Sequence, residues 1–198
     1  NVLALFAVSA TLVVFGASCT FRSTAEQGAI FKTANYGETW ASKSRLTVNE
    51  KRTTILSSIN VTSMAFDPAN PDRIFIGTRE HGLFGTNNQG ESWIQILPGQ
   101  YITQLAIDRS AKCTMYLSTP THILRTANCG ESWQVMLTES RRHTGLTSIV
   151  IDPRNASLLY ATTSQGDIFR SADAGASWST LFRVPELSIK RLVVDPRN

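Results

Sequence analysis

The apolar and polar residues divide the chain into one uncharged stretch followed by many short apolar segments. Residues 1–18 carry no charge, and the run from Val2 to Phe15 is almost entirely apolar. This run has the length of the hydrophobic region of a signal peptide and is short for a membrane-spanning helix. It predicts a cleavable N-terminal apolar helix, followed by a chain in which helical periodicity is not sustained.

The window from Val61 to Leu97 shows how the short apolar segments are arranged. Strand-like segments alternate there with turns rich in Pro, Gly, Asn and Asp. The four segments are Val61–Phe66, Arg73–Thr78, Leu83–Thr86 and Trp93–Leu97. Short strands separated by turn signals about every ten residues predict an all-β meander.

Two sequence markers repeat along the chain. The octapeptide Ser/Thr-x-Asn/Asp-x-Gly-x-Ser/Thr-Trp has four copies, which end on the four tryptophans: Thr33–Trp40, Thr86–Trp93, Thr126–Trp133 and Ser171–Trp178. Turns of the Asp-Pro type alternate with them, at Asp67, Asp108, Asp152 and Asp195. A period of roughly 40 to 45 residues with four strands is the signature of a β-propeller blade.

We therefore predict an all-β fold that forms part of a β-propeller. The predicted units are a partial blade over 28–42, a linker over 43–60, complete blades over 61–97, 102–137 and 146–182, and a partial blade over 189–198 whose first strand is Ile189–Val194. Propellers close with about four to eight blades. We expect the three complete blades to be part of a larger ring.

The octapeptides resemble Asp-boxes, also called BNR repeats. The resemblance covers about residues 28–198 and extends to sialidases, xyloglucanase-type glycoside hydrolases, sortilin luminal domains and photosystem II assembly and stability factors. The chain most resembles the last group and its bacterial lipoprotein relatives, because its apolar leader is followed directly by the repeats. Three copies depart from the family pattern, with Asn35, Asn88 and Asn128 where Asp is usual, and only Asp173 keeps the carboxylate.

This departure favours a structural role for the octapeptide. An Asn side chain accepts hydrogen bonds from backbone N–H groups in a turn almost as well as an Asp does. The first residue of each copy carries a hydroxyl; these residues are Thr33, Thr86, Thr126 and Ser171. The glycines are expected to supply positive φ angles and the tryptophans to pack between strands. They are Gly37, Gly90, Gly130 and Gly175, with Trp40, Trp93, Trp133 and Trp178.

The end of the apolar leader suggests a membrane anchor. Residues 15–19, FGASC, resemble a bacterial lipobox. This resemblance implies a signal peptide over 1–18, lipidation of Cys19, a tether over 19–27 and an extracytoplasmic, membrane-anchored protein. Two acyl chains anchor a protein stably. An ordinary signal peptide, an uncleaved anchor helix and a buried helix are the alternatives.

Composition removes several classes of function. With 42% hydrophobic and 17% charged residues, the chain is not of the low-complexity disordered type. The net charge of +4 is too diffuse to indicate nucleic-acid binding. Three cysteines exclude a disulfide-dense scaffold and a multi-cysteine zinc module. We predict no cofactor and no metal.

Binding is expected at the end of the blades opposite the octapeptides. The loops there join strands two and three of a blade, or strand four to the next blade. The candidates in these loops are Arg79, Glu80, His81, His122, Arg141, Arg142 and His143. They fit a basic surface for an acidic segment of a protein partner, since Arg binds carboxylates well. Solvated loops, a three-histidine metal site and a catalytic histidine are the alternatives.

The carboxylates do not form a recognisable catalytic pair. The aspartates of the Asp-Pro-type turns recur in every blade, which favours a structural role, because an active site occurs once. Glu80, Glu139 and Glu186 are not repeated, yet the sequence pairs them with nothing. We predict a non-catalytic, lipid-anchored propeller that binds a protein, such as an assembly or stability factor for a membrane complex. The alternative is part of a carbohydrate-active glycoside hydrolase propeller.

Cys113 and Cys129 belong to the same predicted blade. If Ser118 and His122 flank the hairpin turn, Cys113 faces Ala127, two residues from Cys129. A disulfide is then within reach. Two free buried thiols are the alternative.

Overall fold

The computed structural model describes residues 30–49, 52–55 and 59–196. The regular structure in these ranges is β-strand, and none of it is a helix long and apolar enough to cross a membrane. The signal peptide, Cys19 and the tether predicted above lie outside the described residues. The first two sheets are two-stranded: β1 (Phe31–Lys32) with β2 (Ala41–Ser42), and β3 (Arg45–Asn49) with β4 (Arg52–Ile55).

Three antiparallel sheets of four consecutive strands follow. The first blade contains β5 (Val61–Asp67), β6 (Asn70–Thr78), β7 (Leu83–Thr86) and β8 (Ile94–Leu97). The second contains β9 (Gln104–Ile107), β10 (Met115–Ser118), β11 (His122–Thr126) and β12 (Gln134–Thr138). The third contains β13 (Leu146–Ile151), β14 (Leu159–Thr163), β15 (Asp167–Ser171) and β16 (Ser179–Arg183).

The blades stack through their first strands, because β9 contacts both β5 and β13. The core lies between neighbouring sheets. Strand β10 is buried on both faces, and its side chains alternate between the two interfaces as the two-residue period of a strand requires. Met115 and Leu117 join the cluster shared with the first blade, and Tyr116 joins the cluster shared with the third. This is the packing of propeller blades, and the predicted all-β propeller fold is confirmed.

The segment 43–60 differs from the predicted linker, because it contains the hairpin of β3 and β4. The backbone N–H of Thr47 donates to the carbonyl of Trp93, and the N–H of Trp93 donates to the carbonyl of Arg45, both at 2.8 Å. Strand β3 therefore lies along the first blade beside Trp93. The basic side chains in this stretch mask an alternating, β-branched pattern that is typical of strands.

The predicted strand Ile189–Val194 is not a strand in the structure. The N–H of Leu192 instead donates to the Ser148 hydroxyl at 3.3 Å, next to β13. A strand needs a ladder of backbone hydrogen bonds. Among the described residues no strand offers one to this segment.

The octapeptides form four copies of one hydrogen-bonded turn. The hydroxyl of the first residue accepts the N–H of the fifth at 2.8 to 3.1 Å. The side-chain oxygen of the third residue accepts the N–H of the seventh at 2.8 to 3.0 Å. Asn and Asp play the same part, so a carboxylate is not needed. Each glycine has a positive φ, as does the preceding residue: Tyr36, Gln89, Cys129 and Ala174.

The tryptophans that close the octapeptides are in different environments. Trp93 is fully buried, and its indole N–H donates to the carbonyl of Lys43 at 2.5 Å, next to β3. Trp40 is 50% exposed and Trp178 half-buried, and their N–H groups donate to the glycine of their own octapeptide at 3.1 and 3.0 Å. Packing between strands was therefore a correct expectation for Trp93 and a wrong one for Trp40.

The glycine of the octapeptide also lies where two blades meet. A Cβ atom on Gly130 would lie 2.4 Å from Cγ2 of Ile96, in the last strand of the first blade. A Cβ on Gly175 would lie 3.3 Å from Cε of Met136, in the last strand of the second. Each turn therefore presses against the outer edge of the preceding blade.

We expect Gly130→Ala to lower the free energy of unfolding by about 3 kcal/mol, because backbone strain at a φ of 97° adds to overpacking against Ile96. Gly99→Ala is the matched control, since Gly99 has a φ of 68° and nothing within 4 Å of an added Cβ. It should cost about 1 kcal/mol. Urea unfolding measures both. Equal losses, or no recovery when Ile96→Ala is added to Gly130→Ala, would contradict a close blade contact.

Candidate functional site

The loops of each blade meet at two opposite ends. At one end, the N–H of Glu139 donates to the carbonyl of Thr121, and that of Leu146 donates to the carbonyl of Pro120, both at 2.8 Å. Loops that leave strand four thus contact loops between strands two and three. We call this end the loop face; it comprises residues 79–82, 98–103, 119–121, 139–145, 164–166 and 184–188.

The other end is formed by the octapeptides and the turns between strands one and two. The N–H of the fourth octapeptide residue donates to a carbonyl in or just after that turn in each complete blade, at 2.9 to 3.0 Å; the pairs are Gln89 with Asp72, near the start of β6, Cys129 with Cys113, and Ala174 with Ser157. The carboxylates of Asp67, Asp108 and Asp152 each accept the N–H two residues later. These aspartates shape the turns.

Most of the candidate residues are exposed on the loop face. Arg79, Glu80, His81, Arg141, Arg142 and His143 are exposed, and His122 is half-buried beside the face, at the start of β11. The Arg79 guanidinium lies 5.5 Å from the centroid of the Tyr101 ring and 3.8 Å from a carboxylate oxygen of Glu80. Arg79 is thus oriented by a neighbouring loop, and part of its charge is offset.

Two buried carboxylates lie under this surface. Glu139 and Asp167 are 8% and 3% exposed. The Nη2 atom of Arg141 is 2.6 Å from Oε2 of Glu139 and 2.8 Å from Oδ2 of Asp167, and its Nε donates to Glu139 as well, at 2.9 Å. Arg183 approaches Asp167 from the other side at 3.4 Å. The interpretation of Glu139 as a carboxylate without a partner is wrong, and sequence reasoning missed Asp167.

Both carboxylates are ionised at neutral pH. The hydrogen bond from Arg141 lowers the pKa of Glu139 against the opposing effect of burial. Burial alone would raise the pKa of Asp167, but hydrogen bonds from Arg141 and Thr163 outweigh it, and the pKa is lowered. A catalytic acid in a glycosidase needs a raised pKa. Glu139 and Asp167 therefore make a poor acid–base pair.

The ion pairs fix the loop 139–145 at its base. Its tip consists of Arg142 and His143, and the carbonyl of His143 accepts a hydrogen bond from Gln165 at 3.1 Å. His143 has a φ of 59°, which turns the chain sharply. Within the described residues the Arg142 side chain makes no ion pair or hydrogen bond. The loop thus presents one unpaired guanidinium on a fixed base.

The three histidines lie apart in the chain fold, with His81 and His143 on different loops and His122 at the start of β11. The Nδ1 of His122 is 2.8 Å from the hydroxyl of Thr121, and the carbonyl of His81 accepts from Gln95. In the described part of the chain, no three His, Cys, Asp or Glu side chains form a group that could hold a metal ion.

Cys113 and Cys129 form a disulfide at the end opposite the loop face. The register differs by one residue from the sequence interpretation, since Met115 pairs with Thr126 and Ser118 with Ile123. Cys113 then continues toward Asn128 rather than Ala127. A positive φ at both cysteines belongs to the turns that bring them together.

Asp173 is the only carboxylate at the third position of an octapeptide. Hydrogen bonds from the hydroxyl and N–H of Ser177, and from the hydroxyl of Ser171, lower its pKa from 3.8 to about 2. The corresponding asparagines accept from the hydroxyl of the first residue and the N–H of the seventh with Oδ1, as Asp173 does, but they carry no charge and their Nδ2 donates to the hydroxyl of the seventh residue.

Comparison by sequence finds no protein-family model and no curated protein that matches the chain. Comparison by structure finds propellers. The chain is similar to the GH74 xyloglucanase from Xanthomonas campestris, with a TM-score of 0.69 and 16% identity over 87% of this chain and 31% of the enzyme. It is similar to YCF48 from Cyanidioschyzon merolae, with a TM-score of 0.54 and 16% identity over 67% of this chain and 40% of YCF48.

A structure of YCF48 bound to a D1 peptide is also similar, with a TM-score of 0.52 and 16% identity over 63% of this chain and 41% of that one. The chain thus spans less than half of each of these proteins. At these identities the likeness shows the fold, and the fold is that of a β-propeller.

We expect Arg141→Gln to lower the free energy of unfolding at pH 7 by about 2 kcal/mol. Removing one partner of a fully buried ion pair lowers stability by more than this. The Arg141 side chain is 44% exposed, however, so water screens part of its interaction with the two carboxylates. Arg142→Gln is the matched control, and it should change stability by less than about 0.5 kcal/mol. Urea unfolding measures both.

The same ion pairs predict a pH dependence. Because folding lowers the pKa of both carboxylates, their contribution is complete above the unfolded carboxyl pKa and is lost as pH falls through the folded values. The gap between wild type and Arg141→Gln should narrow below about pH 4. A gap that stays constant down to pH 2 would contradict the ion pairs.

For Asp173 we expect the protein to lose stability as pH falls from about 4 toward 2, because a carboxylate with a lowered folded pKa stabilises only while it is ionised. Asp173→Asn should remove this part of the pH dependence and leave stability at pH 7 nearly unchanged, since Asn serves in the other three turns. Thermal unfolding across this pH range measures it. Parallel curves for the two proteins would reject the assignment.

Proposed function

We propose that the chain belongs to a non-catalytic propeller whose loop face binds an acidic segment of a protein partner. We further propose that lipidation of Cys19 holds it on the extracytoplasmic side of a membrane. A function in the assembly or stability of a membrane complex fits such a tethered binding surface.

The observation that carries the proposal is the presentation of Arg142 on an anchored loop. Arg141 ties the base of the loop to two buried carboxylates, at 2.6 and 2.8 Å. Arg142 is exposed and has no ion-pair partner within the described residues. Because the backbone of the loop is already fixed, Arg142 loses less freedom on binding a carboxylate than an arginine on a mobile loop would, and its guanidinium can form two parallel hydrogen bonds with the carboxylate.

The rest of the loop face adds to this preference for acidic ligands. His143 is exposed beside Arg142, and Arg79 is exposed at the neighbouring blade. The buried carboxylates under the loop face repel an acidic ligand only weakly, because ion pairs with Arg141 and Arg183 offset their charge. The similarity to YCF48, which has been solved with a bound D1 peptide, supports a propeller that binds a protein segment.

A glycoside hydrolase propeller is the second candidate. The similarity to a GH74 xyloglucanase over 87% of the chain supports it. The ionised, ion-paired state of Glu139 and Asp167 speaks against them as acid and base. An enzyme of this kind would take its acid and base from other residues.

We expect a fluorescein-labelled oligoglutamate peptide to bind the protein, and Arg142→Gln to weaken binding about tenfold, since a charge-assisted bidentate contact is worth about 1.4 kcal/mol or more. Arg109→Gln is the matched control. Arg109 is equally exposed, but it lies in the turn between strands one and two, at the opposite end. Fluorescence anisotropy at two salt concentrations measures affinity, which should fall with added salt.

Equal loss in both variants would mean that binding follows net charge rather than the loop face. An oligolysine peptide that binds as well as oligoglutamate would reject the acidic preference. Release of reducing sugar from xyloglucan by the wild-type protein would establish the hydrolase instead. If the Glu139→Gln variant keeps this activity, the acid and base are other residues.

A further inference from the structure

The disulfide in the second blade lies against a guanidinium from the first. The Nη1 atom of Arg73 is 3.2 Å from Sγ of Cys129 and 3.6 Å from Sγ of Cys113. A neutral disulfide gains little from such a donor, because sulfur is a weak acceptor. A thiolate gains much more, since an adjacent Arg lowers the pKa of a cysteine. The contact therefore favours the reduced pair.

The disulfide lies beside a surface crevice. Both cysteines are partly exposed, and Cys129 lines a crevice of about 350 Å³ between the first and second blades. The charged groups around the pair are Arg73 and its partner Asp67, at 3.3 Å, with Glu131 in the wall of the crevice and Lys112 next to Cys113 in the chain. Asp67 competes with a thiolate for Arg73.

The contact between the octapeptide and the turn that joins strands one and two does not depend on the disulfide. In all three complete blades, the fourth octapeptide residue donates its N–H to the turn between strands one and two. In the first blade, a side-chain hydrogen bond of 2.7 Å from Gln89 to Asp72 reinforces this contact. In the third blade, the backbone hydrogen bond from Ala174 to Ser157 forms it without a disulfide. Reduction in the second blade would therefore leave the backbone contact in place.

From this geometry we infer that Cys113 and Cys129 form a thiol–disulfide exchange site, at which Arg73 stabilises the thiolate that a dithiol reductant releases. The first thiolate of the reductant attacks one sulfur, and the electron pair of the S–S bond goes to the other, which leaves within reach of Arg73. The second thiol of the reductant then displaces the attacked cysteine. Two protein thiols and the disulfide of the reductant result, and both electrons come from the dithiol.

This site is independent of the proposed partner, because it lies at the end opposite the loop face. Its reduction has a defined structural consequence. Gly130, next to Cys129, presses against Ile96 of the first blade. Reduction removes one of the two links between this octapeptide turn and the turn at Cys113, while the backbone hydrogen bond from Cys129 to Cys113 remains.

The test equilibrates the protein with dithiothreitol at a series of ratios of reduced to oxidised reagent and counts thiols after acid quenching. We expect Arg73→Gln to lower the equilibrium constant for reduction about tenfold, which corresponds to about 30 mV for a two-electron couple. Asp67→Asn should shift it in the opposite direction, because Arg73 is then released to the thiolate. Arg109→Gln is the control and should have no effect.

Two further measurements separate this role from a structural one. The rate of iodoacetamide labelling of the reduced protein should show a thiol with a pKa below the ordinary 8.5, which moves back toward 8.5 in Arg73→Gln and less so in Arg73→Lys. Circular dichroism checks that each variant is folded. An unchanged equilibrium constant and labelling profile in folded Arg73→Gln would overturn the assignment, as would shifts in the same direction for Arg73→Gln and Asp67→Asn.

Discussion

A four-stranded blade has two apolar faces and can bury them only against other blades. Strand β10 makes this constraint visible, because Tyr116 packs toward the third blade and Leu117 toward the first. The octapeptide turn is the part of the sequence that satisfies the constraint. Its glycine brings backbone against the last strand of the preceding blade, where even a methyl group on Gly130 would collide with Ile96. The repeat thus encodes contact between blades as well as the fold of one blade.

The same constraint explains why the turn tolerates Asn in place of Asp. Its hydrogen bonds run from backbone N–H groups to one side-chain oxygen, which an amide supplies as well as a carboxylate does. What the turn does require is two consecutive residues with positive φ, and Gln89, Cys129 and Ala174 accept that strain before their glycines. The strain is offset by the carbonyl of the neighbouring turn, which accepts the N–H of each of these residues. The loops of the loop face carry no such repeat, so their sequences are free to differ from blade to blade.

The sequence predicted the parts of the fold that local chemistry determines. The four strands of each complete blade and the octapeptide turns follow from residues within a few positions of one another. The sequence misplaced what depends on distant partners. The hairpin of β3 and β4 was hidden because basic side chains interrupt its strand pattern, and its place along the first blade depends on a bridge to the distant Trp93. The Ile189–Val194 segment looks like a strand, but it has no ladder among the described residues. A disulfide between Cys113 and Cys129 was within reach in the hairpin predicted to contain them, although the predicted register of that hairpin was wrong by one residue.

The loop face was located from topology alone, but its electrostatics was not. Arg141 and Arg142 are adjacent and identical in type, yet one is bound to buried carboxylates and the other is free of ion pairs within the described residues. Arg141 binds Glu139, two residues before it, and Asp167, 26 residues after it, and the second of these contacts is not visible in the local sequence. In the proposed binding mode, this basic dipeptide combines a structural anchor with a binding group. The anchor fixes the backbone from which the Arg142 side chain extends, and a loop with either arginine alone would lack one of these two contributions to the proposed carboxylate site.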